Sequence, residues 1–228
     1  MIDGTGAEAE PEAMESNVAT PLQGYEADEG ISHSHGYLFP VLLKILAKRS
    51  SGRIFELGCG NGTTAAMLHG RGYQVIGVDP SVSGIEIAHR EFPQCHLEPG
   101  SSDEDLRARF GTFDTVVSLE VAEHVYSPKL YARAISDLLE PGGIAIVSTP
   151  YHSYLKNLAL AVSGKMESHF TALWEGGHIK FWSRNTLRTL FDDAGLEEIA
   201  FYRVGRVPAL AKSMVAVFRK RAATETNG

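Results

Sequence analysis

The stretch Arg53-Ile54-Phe55-Glu56-Leu57-Gly58-Cys59-Gly60-Asn61-Gly62 decides the fold. A short apolar strand, residues 53–57, runs directly into three glycines spaced two apart, and residues 63–69 continue as a helix closed by Gly70 and Gly72. Strand, glycine turn and helix open a βαβ unit, and the same rhythm repeats downstream. Residues 74–78 read as a second strand ending at Asp79-Pro80, and a helix over 84–91 stops before Pro93. Strands over 95–98 and 114–119, a helix over 128–139 and a Gly142-Gly143 turn into a strand over 144–149 follow. Upstream, Leu38, Val41, Leu42, Ile45 and Leu46 recur at helical spacing over 35–48. Alternating strands and helices build a parallel sheet covered on both faces. After Pro150 the rhythm breaks, and residues 151–182 read as a cap insertion facing substrate. Ser183 then caps a helix carrying Leu187, Leu190, Phe191 and Ala194, stopped by Gly195, and residues 199–204 and 214–218 are two closing strands.

Composition bounds the rest. The chain has 228 residues, 43% hydrophobic and 21% charged, enough for one domain with a real core and too apolar for general disorder. The 23 Gly and 10 Pro show no period, which excludes collagen-like and repeat architectures. The net charge of −7 is concentrated at the start: the first thirty residues hold eight acids and no Lys or Arg, and the remainder is close to neutral. Residues 1–30 are therefore expected to be a flexible acidic leader, 31–222 a single domain, and 223–228 a frayed tail. No basic stripe suggests nucleic acid. Cys59 and Cys95 form neither CxxC nor a zinc framework, which fits a reducing compartment. No apolar run reaches the roughly 20 residues of a membrane span and no signal peptide opens the chain, so a cytoplasmic protein is the expectation.

In an open α/β sheet, ligands lie at the carboxyl ends of the strands, near the point where strand order reverses. Gly58 and Gly60 permit left-handed backbone and close approach of a ligand. Asp79 ends the second strand 21 residues beyond Gly58, where a carboxylate can accept from both hydroxyls of a ribose. Gly58-x-Gly60-x-Gly62 lacks the GxGxxG spacing that seats a pyrophosphate, carries Glu56 two residues before its first glycine, and is followed by no Gly-Lys-Ser/Thr. The ligand therefore contains a ribose and need not contain a phosphate.

Residues 55–62 together with Val75-Ile76-Gly77-Val78-Asp79-Pro80-Ser81 resemble the signature of class I S-adenosylmethionine-dependent methyltransferases. Phe113-Asp114-Thr115-Val116-Val117-Ser118 and Leu138-Leu139-Glu140-Pro141-Gly142-Gly143 agree in order, so the likeness runs from about residue 52 to 218. It implies a Rossmann-like, doubly wound, mostly parallel seven-stranded sheet with an antiparallel last strand and a small helical cap. Residues 118–125, Ser148-Thr149-Pro150, residues 154–159 and Gly177-His178 before Phe181-Trp182-Ser183 are similar to the O-methyltransferases of ubiquinone biosynthesis and their relatives. By this resemblance Glu56, Gly58, Cys59 and Gly60 belong to the cofactor site and Asp79 holds the ribose. Ser81 lies beside it, Ser102 and Asp103 match the loop facing the adenine, and Leu119 contacts the cofactor through its backbone.

Glu120, Glu123 and His124 follow the fourth strand at i, i+3 and i+4, which on a helix share one face. Two carboxylates and an imidazole can hold Mg²⁺, as the resemblance also implies, and position a catechol. In the competing reading, Glu120 and His124 orient the pocket without a metal. An imidazole is the natural base for a phenol, and His124, His152 and His178 are the candidates. The apolar and aromatic residues of the cap, among them Tyr154, Leu155, Leu158, Leu160, Val162, Phe170, Leu173, Trp174, Phe181 and Trp182, are expected to wall an aromatic acceptor's pocket, with at most peripheral membrane contact. The leading expectation is methyl transfer from S-adenosylmethionine to a phenolic or catechol oxygen of a small molecule. N-, S- or carboxyl-methylation and a non-catalytic cofactor-binding module remain open, and a nucleotide-dependent oxidoreductase conflicts with the glycine spacing.

Overall fold

The computed structural model describes residues 34–49, 52–170 and 177–221. Seven strands form one sheet in the order β3-β2-β1-β4-β5-β7-β6. They are β1 (Arg53–Leu57), β2 (Gln74–Asp79), β3 (His96–Pro99), β4 (Phe113–Leu119), β5 (Leu139–Pro150), β6 (Leu196–Val204) and β7 (Ser213–Lys220). The first five are parallel, and β7 runs antiparallel between β5 and β6. Order reverses between β1 and β4, so the glycine turn after β1 opens at the switch point where open α/β sheets bind ligands.

Side chains alternate across the sheet and divide the core in two. Phe55, Leu57, Val116, Ala145 and Val147 face one way, onto α5 (Pro128–Leu138), α8 (Arg184–Asp193) and the short α4 (Leu106–Phe110). Ile54, Val117, Ile144 and Ile146 face the other way, onto α1 (His35–Leu46), α2 (Thr63–His69) and α3 (Val82–Glu91). Several helix starts are local chemistry. Ser81 caps α3 by accepting from the Gly84 N–H at 3.1 Å, and Ser183 with Thr186 forms a capping box on α8. The cap carries α6 (Tyr154–Val162), started by Ser153, and α7 (Met166–Phe170).

The expected architecture is present, with local differences. Helix α4 escaped the pattern because five residues burying a single Leu106 carry no readable period. Strand β5 begins at Leu139, paired with Phe113; residues 140–143 then bulge out, with Gly142 left-handed, before pairing resumes at Thr115 with Ile144. The Gly-Gly turn is thus an excursion within a strand. Residues 1–30 and 223–228 lie outside the described residues, so the leader and tail remain expectations. Among the described residues, no helix is long and apolar enough to cross a membrane.

Candidate active site

The glycine turn and Asp79 form one unit. Gly58, Gly60 and Gly62 all have positive φ, at 84°, 51° and 80°. A Cβ at Gly58 would overlap a methyl of Val121, and one at Gly62 would lie 2.7 Å from Leu97. The N–H groups of Gly58 and Cys59 donate to the Val78 carbonyl, which ties the turn to the end of β2. The Gly60 N–H donates to Oδ2 of Asp79 and the Ser81 N–H to Oδ1, each at 2.8 Å. Each carboxylate oxygen keeps a second lone pair for a hydroxyl. Burial pushes the Asp79 pKa up, and the two amide bonds oppose that shift.

The other expected cofactor residues fall around this unit. Ser81 is buried with its hydroxyl engaged in the α3 cap. Ser102 and Asp103 sit on the loop after β3, joined to Asp79 through the Gly100 N–H on the Asp79 carbonyl. Cys59 is buried and its thiol is pushed well up, first by burial and then by Glu56, which leaves it no nucleophilic part. Glu56 lies beneath α2 with Thr64 as its side-chain partner, and burial raises its pKa to about 8. Its Oε2 has no hydrogen-bond partner among the described residues.

Past β4 the chain does not continue as a helix. Leu119 ends the strand, Glu120 adopts φ 55°, the one left-handed non-glycine among the described residues, and residues 122–124 form a turn. Such a conformation costs about 1 to 3 kcal/mol and clusters at functional sites. Its surroundings hold Glu120 there: its N–H donates to Ser148 Oγ, and its carboxylate accepts from Ser148 Oγ at 2.7 Å and Ser213 Oγ at 3.0 Å. The shared helical face expected for Glu120, Glu123 and His124 therefore does not form.

A different trio does. Glu123, His124 and His178 place ligand-type atoms within 4.8 Å of one another. Both imidazoles approach Glu123 Oε1 at 4.0 Å through Nε2, and the two rings meet edge-on at 5.0 Å. The Ile179 and Lys180 N–H groups donate to the Glu123 carbonyl, and that pairing brings His178 in from the cap. Glu123 is buried with neither carboxylate oxygen hydrogen-bonded among the described residues, and burial together with Glu120 drives its pKa well up. Two imidazoles and one carboxylate are not the oxygen set that Mg²⁺ prefers; they suit a borderline transition ion better. The expected Mg²⁺ trio is corrected in membership and in donor chemistry, because Glu120 is committed to two serines.

The charge of His124 favours the ionised form of Asp79. The pKa of His178 is lowered to about 4, first by burial and then by the charge of His124. His152 packs edge-on against Phe181 at 5.2 Å and lies beside Phe170 and His169; burial, then the charge of Lys156, holds its pKa at about 4, with smaller effects from His169 and His178.

The aromatic cap is only partly a pocket wall. Tyr154, Leu155, Leu158 and Val162 are exposed, and α6 buries no residue. Trp182 is structural, donating its indole N–H to the Ala122 carbonyl at 2.9 Å, and Leu173 and Trp174 lie outside the described residues. A cavity of about 460 Å³ does open beneath α6, with Glu120 and Ser213 on one wall and Leu160 and Tyr37 among its lining. Sequence reasoning passed over Tyr37, Arg206, Lys212 and Ser213, since only the packing of α1 and the β6–β7 connection against β5 brings them together.

A family model described as a methyltransferase domain matches residues 31–200. This chain belongs to that methyltransferase family. The methyltransferase is 34% identical over 154 residues to the ubiquinone biosynthesis O-methyltransferase of Dinoroseobacter shibae, covering 64% of this chain and 60% of that protein. A similarly named protein of Caulobacter is 36% identical over 116 residues, 49% of this chain and 46% of that one. The chain thus spans less than two thirds of the length of these relatives. Its fold matches an S-adenosylmethionine-dependent methyltransferase from Mesorhizobium loti with a TM-score of 0.63 at 18% identity, over 80% of this chain and 97% of the other. The magnesium protoporphyrin IX methyltransferase of Synechocystis, solved with bound S-adenosylhomocysteine, gives 0.62 at 16%, over 80% and 81%. The methyltransferase described here shares the fold of both.

Proposed function

We propose that this chain transfers the methyl group of S-adenosylmethionine to a phenolic or catechol oxygen of a small molecule. One observation carries the reading: Glu120, in the lining of the cavity under the cap, and Val121, packed on Gly58 of the turn that bonds Asp79, are consecutive residues at the end of β4. The names of the relatives support oxygen as the acceptor atom. The residues present fit the cofactor, since the turn offers backbone without Cβ atoms and Asp79 retains an acceptor lone pair on each oxygen. When bound, the cofactor supplies an electrophilic methyl on a sulfonium.

The protein's part is alignment and proton removal. The left-handed Glu120 turns the chain so that the β4 end stays open between the cofactor side and the cavity. His178 is unprotonated near neutral pH because burial and His124 hold its pKa low. An imidazole of the His124–His178 pair takes the proton from the acceptor hydroxyl, with the Glu123 side chain beside both rings. Holding the oxygen aligned with the methyl supplies most of the remaining acceleration.

The test is calorimetry with S-adenosylhomocysteine, wild type beside Asp79→Ala, followed by a catechol panel with the methyl donor. Loss of the ribose bonds should weaken binding by about 2 to 4 kcal/mol, the order expected where hydrogen bonds to a charged group are removed. A wild type that ignores S-adenosylhomocysteine, or binds it and methylates no phenol, overturns the proposal.

A further inference from the structure

We infer that the cavity under α6 takes a methyl acceptor carrying an anionic group, a carboxylate or a phosphate, bound by Lys156, Arg206 and Lys212. The assignment rests on the methyl-transfer reading for the reaction, but the anion site stands on its own geometry. Three cations line one cavity from two separate elements: Lys156 from α6, and Arg206 and Lys212 from the connection between β6 and β7. Among the described residues none of the three enters an ion pair. Residues 31–228 hold 21 Lys and Arg against 20 Asp and Glu, so three cations and a single carboxylate around one concavity are an uneven local distribution. Surface cations ordinarily sit among acids or point into solvent.

Three details argue for a ligand rather than a solvated face. Lys156 is half-buried and its Nζ donates to the Tyr151 carbonyl at 3.1 Å, which holds the ammonium at the cavity and leaves two N–H donors. The Lys156 pKa is lowered by burial and by the charge of Arg206, against the opposing charge of Glu120, and an anion between Lys156 and Arg206 would relieve their repulsion. Lys212 lies over the Tyr37 ring at 5.6 Å, which steadies its stem against the same wall. The one carboxylate in the lining, Glu120, accepts from the Ser148 and Ser213 hydroxyls and partly offsets the charge of Lys156, which leaves Arg206 and Lys212 with no carboxylate of their own in the lining. Leu160, Pro150 and Leu210 supply apolar surface for an aryl or alkyl body, and the Arg206 fork suits either oxyanion. A purely neutral catechol would leave all three cations facing an apolar ligand, with their desolvation unreturned.

The experiment uses the full chain. Calorimetry compares 3,4-dihydroxybenzoate, phenyl phosphate and the neutral 3,4-dihydroxybenzamide, each with and without saturating S-adenosylhomocysteine. At least one anion should bind about tenfold or more tighter than the amide, the effect of a single charge-assisted hydrogen bond. The preference should fall below about threefold in Lys156→Gln/Arg206→Gln and be partly kept in Arg206→Lys. Whichever of the carboxylate and the phosphate binds tighter identifies the source of the anion. An amide that binds as well as both anions, no binding of either anion, or a preference that survives the double substitution overturns the inference. S-adenosylhomocysteine binding, measured in every variant, confirms folding. Its failure in the wild type removes the methyl-transfer reading, while the titrations without it still decide the anion site.

Discussion

Around Asp79, both carboxylate oxygens accept backbone N–H groups and the neighbouring glycines pack so closely that added Cβ atoms would collide, whereas α6 on the opposite side of the site buries none of its nine residues. In the proposed reaction the two regions have opposite construction. The cofactor side is over-determined: strand pairing, left-handed glycines and amide-bonded carboxylate each specify the same geometry. The cap side is a thin cover whose inner residues line a cavity while its apolar outer residues face water. A constant co-substrate favours a rigid cradle, and a variable acceptor is met by an element that can change without disturbing the core.

The largest test of that contrast concerns Glu56. Its pKa in the fold, about 8, lies above the ordinary 4.5, so the folded state holds a proton that the unfolded state releases. The stability it allows is complete below about pH 4.5 and is lost as pH rises through 8. Relative to Glu56→Gln, the wild type should lose on the order of 3 to 5 kcal/mol across that window, at about 1.4 kcal/mol per pKa unit. Urea unfolding of both proteins at several pH values measures it, and parallel curves would mean the carboxylate is not desolvated in solution.

Next in size is Gly58→Ala, which combines a left-handed φ with a collision at Val121. It should cost about 1 to 3 kcal/mol in denaturant stability and weaken S-adenosylhomocysteine far more than the acceptor. Unchanged binding would show that the cradle is less rigid than its packing implies. On the cap, Leu158→Ser should move stability by less than about 0.5 kcal/mol, as for ordinary surface positions. A drop of several degrees in Tm would reveal a covering partner and erase the contrast. The smallest effect is that of Mg²⁺ against chelator: S-adenosylhomocysteine affinity should change by less than about twofold, since imidazole donors hold Mg²⁺ poorly and Asp79 lies outside the trio. A larger dependence would restore Mg²⁺ to the site.

Legibility followed sequence distance. The glycine turn, Asp79 and the Ser183 cap are short-range features, and their residues stand in the structure where spacing places them. The metal-type trio failed as first read because i, i+3 and i+4 imply neighbours only on a helix, and the chain turns left-handed at Glu120 and starts α5 only at Pro128. His178 was visible as a candidate base, but nothing within fifty residues of it announces His124 as its neighbour; the amides of Ile179 and Lys180 on the Glu123 carbonyl do that.

By itself the sequence determined the βα rhythm, the sheet covered on both faces and the glycine turn with Asp79 at the end of the second strand, because backbone sterics at glycine, two-residue alternation and helix capping act over a few residues and need no partner. Only the tertiary structure decided that β7 inserts between β5 and β6, that Glu120 belongs to Ser148 and Ser213, and that Lys156, Arg206 and Lys212 share one cavity. Those outcomes depend on contacts between segments that are distant in sequence, where pairing and burial choose among arrangements that local preference leaves equal.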